Sequence, residues 1–182
     1  MAIRKILTAP DPRLKVKSKP VERVDDEVRR LMDDMLETMY AAPGIGLAAP
    51  QVGVSKRVIV IDVSGEDEPP RPLRMANPEL LWVSDEEAVY NEGCLSVPDH
   101  YADVVRPARC RVRYLDHENE IRELEADGLL ATCVQHEIEH LDGILFIDHL
   151  SSLKRNMILR KLLKARKAEA PVGASTGIAR AG

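Results

Sequence analysis

No stretch of the 182-residue chain approaches the ~20 apolar residues that a membrane helix requires. The opening MAIRKILTAPDPRLKVK also lacks the apolar core of a secretory signal. A cytoplasmic protein without a membrane partner is therefore expected. There are only three cysteines, Cys94, Cys110 and Cys133. That number is odd and too small for a disulfide framework, and in a reducing compartment each thiol is packed, metal-bound or catalytic. Excess positive charge is absent too: 26 Lys and Arg stand against 30 Asp and Glu, a net charge of −4. No global affinity for DNA follows from that balance. Neither an internal repeat nor a linker divides the chain, and its length suits one domain. One catalytic domain over 1–168 and a flexible Ala-, Gly- and Ser-rich tail over 169–182 are expected.

One segment departs from the acidic balance. Lys154, Arg155, Arg160, Lys161, Lys164, Arg166 and Lys167 lie in a stretch without an acid, which leaves 19 − 30 = −11 for the remainder. Such a run is usually a solvated helix face, but in an acidic protein it also suits a phosphate-rich partner.

Apolar residues at three- and four-residue steps predict a helix from Asp25 to Ala41, capped by Asp25 and stopped at Pro43-Gly44. The Gly-rich GIGLAAPQVGV then leads to RVIVIDV (57–63), a β-branched run that reads as a buried strand. Residues 64–72 are a loop by composition, and 73–90 carry short strands. Residues 110–115 and 121–125 flank DHENE as a hairpin. A second helix is expected over 129–141, with Asp127 as its cap and Gly143 beyond its end. A last helix covers about 152–167. The fold class is α+β: short antiparallel strands around a central helix, with one helix at each end of the chain.

That central helix contains His136-Glu137-Ile138-Glu139-His140, an HExxH sequence. Residues four apart share a helix face, so both imidazoles can reach one metal ion while Glu137 stands beside it as a base. A catalytic ion of this kind takes three protein ligands and keeps one position open. Two protease patterns fail to supply the third. Phe146 occupies the place of a third histidine, and Leu159, Arg160, Lys161 and Leu162 stand where a downstream glutamate would be. Cys133 lies about 10 Å along the helix from His140 and suits the lining of a site better than its ligand shell. Cys110 reads as packing, and His100, His117 and His149 as surface or capping residues. Cys94, in an irregular segment bounded by Gly93 and Pro98, is the best candidate.

Three segments, in order and spacing, resemble the peptide deformylase family of the bacterial, type I kind: Gly44-Ile45-Gly46-Leu47-Ala48-Ala49-Pro50-Gln51, Glu92-Gly93-Cys94-Leu95-Ser96 and Gln135-His136-Glu137-Ile138-Glu139-His140-Leu141-Asp142. The opening ILTAPDPRL is similar as well, so the resemblance runs from about Ile3 to Lys167. It implies an enzyme that removes formyl from the N-terminal formylmethionine of nascent polypeptides. Cys94, His136 and His140 would hold a divalent ion, typically Fe2+, with Zn2+, Ni2+ or Co2+ able to replace it. Glu137 would act as general base and acid, with the Gln51 side chain and the Leu95 N–H as oxyanion donors. Read alone, Gln51 is more simply a turn residue and Leu95 a core residue; the motif context reverses that preference. The resemblance further implies a substrate site formed by Gly44, Ile45, Gly46, Tyr90, Glu92, Leu129 and Cys133, with Leu95 as an additional wall, and a basic C-terminal helix that docks on the ribosome. Asp99, His100 and Tyr101 stand where some members carry an arginine, which leaves open how the peptide beyond methionine is held. A metallopeptidase, or a ribosome-associated protein with a structural metal, are the rival readings. The latter needs a fourth protein ligand that the motifs do not offer.

Overall fold

In this computed structural model, residues 2–169 are described. The N-terminal helix α1 (Asp26–Ala41) begins where expected: the Asp25 carboxylate accepts a 2.9 Å hydrogen bond from the Val28 N–H. Its apolar stripe, Val28, Leu31, Met32, Met35, Leu36 and Met39, is buried. The chain then forms β1 (Gly46–Ala48) and β2 (Val58–Ile61). In β2 successive side chains alternate sides: Val58 and Val60 pack with α1, and Ile59 and Ile61 with the opposite cluster. Burial on both faces explains why this strand reads as an unbroken apolar run.

Strands β3 (Leu73–Val83), β6 (Arg109–Leu115) and β7 (Ile121–Asp127) complete an antiparallel five-stranded sheet of order β1-β2-β3-β6-β7. A separate two-stranded sheet joins β4 (Glu87–Cys94) to β5 (Val97–Pro107). Where short pieces are expected over 73–90, β3 is a single 11-residue strand whose register breaks between Ala76 and Glu79 and again between Leu80 and Trp82. Those breaks erase the alternation that would reveal it.

The central helix α2 (Gly128–Leu141) is buried along nearly its whole length, with Ala131, Val134, Ile138 and Leu141 against the sheet. Asp127 occupies the cap position, but its side chain makes no capping bond. Gly143 has φ +75°, and a Cβ there would collide with the Lys15 carbonyl, so only glycine fits this stop. The C-terminal helix α3 (Ser152–Glu169) attaches through Leu162, which joins Leu7, Leu14, Val97 and Phe146 in a third cluster. It extends two residues past the expected end, and the rest of the anticipated tail lies outside the described residues. No described helix is long and apolar enough to cross a membrane.

Candidate metal centre

Helix α2 presents His136 and His140 one turn apart, and the end of β4 brings Cys94 to them. The His140 Nε2 stands 3.3 Å from the Cys94 Sγ and 3.3 Å from the His136 Nε2. A tetrahedral ion with nitrogen ligands at ~2.0–2.1 Å and sulfur at ~2.3 Å requires N–N and S–N separations of about 3.3 and 3.6 Å. The donor set thus fits one ion. Contacts with Cys94 and Glu92 raise the His136 pKa well above the imidazole range even though burial opposes this, while burial and the neighbouring His136 push His140 well below it. Donor atoms crowded in this way compete for a proton, and a cation can take its place. Among the described residues this is the only such metal-binding group. Cys133 lies outside it, and Cys110 is core, as expected.

Glu137, between the two histidines, is buried. One carboxylate oxygen lies 4.0 Å from the His136 Nε2, and the other has no hydrogen-bond partner. Burial lifts its pKa to about 7, against lowering by His136 and Arg106, with the Glu92 charge adding to the rise. Gly46 passes close by: a Cβ there would sit 2.5 Å from the Glu137 Oε1 and 2.9 Å from the Cys133 Sγ. The Gln51 side chain is buried and oriented at both ends. Its Oε1 accepts from the Ala48 N–H at 2.9 Å, while its Nε2 donates to Ser96 Oγ at 3.0 Å and faces the Cys94 Sγ at 3.5 Å.

A cavity of ≈ 730 Å³ opens over these groups. Gly44, Ile45, Gly46, Gln51, Tyr90, Glu92, Cys94, Leu95, Leu129, Cys133, His136 and Glu137 all line it, and His140 is buried beneath. The Leu95 side chain packs against Gly44.

Glu92 has a further role. Its Oε1 pairs with the His136 Nδ1 at 2.9 Å, and its two oxygens take the Arg106 guanidinium at 2.6 and 2.9 Å. Arg106 continues to Glu139, and Glu139 to the His149 Nε2 at 2.7 Å. The metal-facing imidazole is thus oriented from behind by a buried carboxylate, which is itself held by a buried guanidinium. Sequence reasoning assigned no role to Arg106, Ser96 or the lining residue Thr132, and left open what His100 and Tyr101 do, which line the cavity as well. The available signal was the EGCLS glutamate, because a carboxylate buried beside a histidine needs a cation. Only the β4–β5 pairing reveals which one.

Two histidines four apart on a buried helix, a cysteine sulfur as third donor and a glutamate with one unpartnered oxygen beside a cavity define the centre of a metal-dependent hydrolase. The family described as polypeptide deformylase matches residues 3–156. A peptide deformylase of Phenylobacterium zucineum is 61% identical over 168 residues, spanning 92% of this chain and 99% of that one. One from Mesorhizobium japonicum is 56% identical, over 94% and 97% of the two chains. Among solved structures, the Ehrlichia chaffeensis peptide deformylase in complex with actinonin superposes with a TM-score of 0.88 at 43% identity, covering 94% of this chain and all of that one. The chain belongs to the peptide deformylase family.

Proposed function

We propose that this protein hydrolyses the N-formyl group of N-terminal formylmethionine on nascent polypeptides in the cytoplasm, releasing formate and a free amine. The observation that carries the reading is the Cys94, His136 and His140 donor set beside a Glu137 carboxylate with one unpartnered oxygen, at a cavity of ≈ 730 Å³, roomy enough for a methionyl side chain. Cys94, His136 and His140 would hold the ion. Fe2+ is the proposed occupant, with Zn2+, Ni2+ or Co2+ as substitutes that the mixed sulfur and nitrogen set also suits. When bound, the ion supplies Lewis acidity, making water a stronger acid near neutral pH.

The remaining steps belong to the chain. Glu137, with one oxygen free and a pKa near neutrality, accepts a proton from the attacking water and returns it to the departing amine. The Gln51 amide, fixed by Ala48 and Ser96, and the Leu95 N–H donate to the oxyanion. Ile45, Tyr90, Leu129 and Cys133 surround the methionine side chain, and Gly46 leaves room for the Glu137 carboxylate and the Cys133 sulfur. Glu92 acts through His136.

Helix α3 supports ribosome docking. Leu162 turns inward, while Lys154, Arg160, Lys161, Lys164 and Lys167 are exposed together with Leu153 and Met157. Phosphate-rich RNA suits such a face. Deleting residues from Lys154 onward weakens salt-sensitive ribosome binding if this reading holds; unchanged affinity refutes it.

The activity is tested by incubating the loaded enzyme with formylated and unformylated methionyl peptides and reading their masses. Replacement of formyl by hydrogen, with formate appearing in step, is the expected result. Cleavage of an internal peptide bond instead would make the protein a metallopeptidase.

A further inference from the structure

The polar side chains behind the metal donors form an unbroken run that ends at the surface on a histidine. From His136 it passes to Glu92, Arg106, Glu139 and His149, whose side chains are 9%, 5%, 5%, 20% and 38% exposed. The outermost link is divided. The His149 Nε2 stands 2.7 Å from the Glu139 Oε2 and 3.0 Å from its Oε1, and that same Oε1 also takes the Arg106 Nη1. An ionised carboxylate only accepts, so the His149 Nε2 carries the proton in this contact. Glu139 is therefore shared between a buried guanidinium and an imidazole open to solvent.

The guanidinium is shared as well. Glu92 takes its Nε and Nη2 at 2.6 and 2.9 Å, while Glu139 takes the Nη1 corner. A planar group gripped from two sides cannot tighten on one carboxylate without loosening on the other. Without His149, Glu139 would have Arg106 as its main partner and draw it from Glu92, the residue that orients the His136 Nδ1 at 2.9 Å. A second contact reaches the same imidazole from the same place. His149 closes the short 3-10 turn Phe146–His149, and the buried Phe146 ring stacks on His136 with 6.1 Å between centroids and 24° between planes. The contact between His149 and Glu139 ties that turn to helix α2.

We propose that His149 is a positioning residue for the metal centre, setting through Glu139, Arg106 and Glu92 how the His136 imidazole is presented to the ion. This rests on Cys94, His136 and His140 holding a metal, and the test therefore reads metal retention with no substrate present. Zinc-loaded wild type, His149→Leu and His149→Gln are mixed with an excess of a chromogenic chelator, and zinc release is timed well below the melting temperature of each. Partners standing directly behind a metal-bound imidazole change metal affinity by about 10- to 100-fold, and a residue three contacts further out should give about three- to tenfold faster release in His149→Leu. His149→Gln, whose amide N–H can still reach Glu139, should release zinc as the wild type does. In an Arg106→Met background, which cuts the path, His149→Leu should lose most of its effect. Release that His149→Leu leaves unchanged overturns the proposal even if the melting temperature falls. So does equal acceleration in His149→Gln, or the full effect of His149→Leu in the Arg106→Met background, and in each case the metal centre stands. A wild type that retains no zinc overturns both.

Discussion

Replacing Arg106 with methionine removes the cation beneath the metal centre while keeping a side chain of comparable bulk. The Arg106 side chain is 5% exposed and grips both oxygens of an equally buried Glu92, then continues to Glu139. Burial alone would push the Glu92 pKa up, but the bonds from His136 and Arg106 outweigh it and hold the carboxyl below its usual range. Without the guanidinium that carboxylate keeps only His136 as a partner. Removing one member of a buried pair costs about 3–5 kcal/mol, because the remaining charge is stranded. At about 2–4 °C per kcal/mol for a chain of this length, the melting temperature should fall by roughly 6–20 °C. The assay is thermal unfolding followed by circular dichroism at fixed metal and protein concentrations. The combination Arg106→Met, Glu92→Gln and Glu139→Gln, which strands no charge, should recover most of the loss. A single variant melting within about 2 °C of wild type would show that the pair is not buried as described and refute the reasoning.

Glu137→Ala should retain the metal, measured by elemental analysis, and lose about 10²- to 10⁴-fold in turnover, the usual share of a general base. Gly46→Ala forces a methyl group onto the Glu137 carboxylate and the Cys133 sulfur. It should therefore depress kcat/KM more than it depresses metal content, read on the same preparation. Tyr40 gives a pH signature. Its hydroxyl donates to Asp62 at 2.5 Å, and burial, together with that bond and the Asp62 charge, lifts its pKa to about 12. A raised folded pKa contributes stability that is complete below pH about 10 and lost as pH rises towards about 12. Urea midpoints measured across that window should fall more steeply for wild type than for Tyr40→Phe, and parallel curves would remove Tyr40 from the account.

How much of this was visible in the sequence depended on whether a feature was local. The α1 stripe and the Asp25 cap are set by neighbours within one helical turn, and both appear as read. The VIVI strand announced itself because both of its faces are buried. By contrast, β1 is three residues long, too short to show a period, and GIGLAAPQ reads only as irregular glycine-rich chain. Gly93 and Pro98 suggested a break, yet β5 runs through Pro98 and through Asp99 at φ +64°. The HExxH pair is a one-helix feature and could be read directly. Its third donor comes from a strand 42 residues away, and apart from the family resemblance the sequence could only nominate Cys94 by elimination. Arg106 was invisible for the same reason: nothing within its own strand reveals that its partners are Glu92 and Glu139, or that the chain ends at His149.

Metal-edge X-ray absorption on the loaded protein tests the core of the account most directly. One sulfur at about 2.3 Å together with two imidazole nitrogens at about 2.0–2.1 Å is the expected shell for zinc, and Cys94→Ala should abolish the sulfur contribution. A wild-type shell of nitrogen and oxygen alone would contradict it.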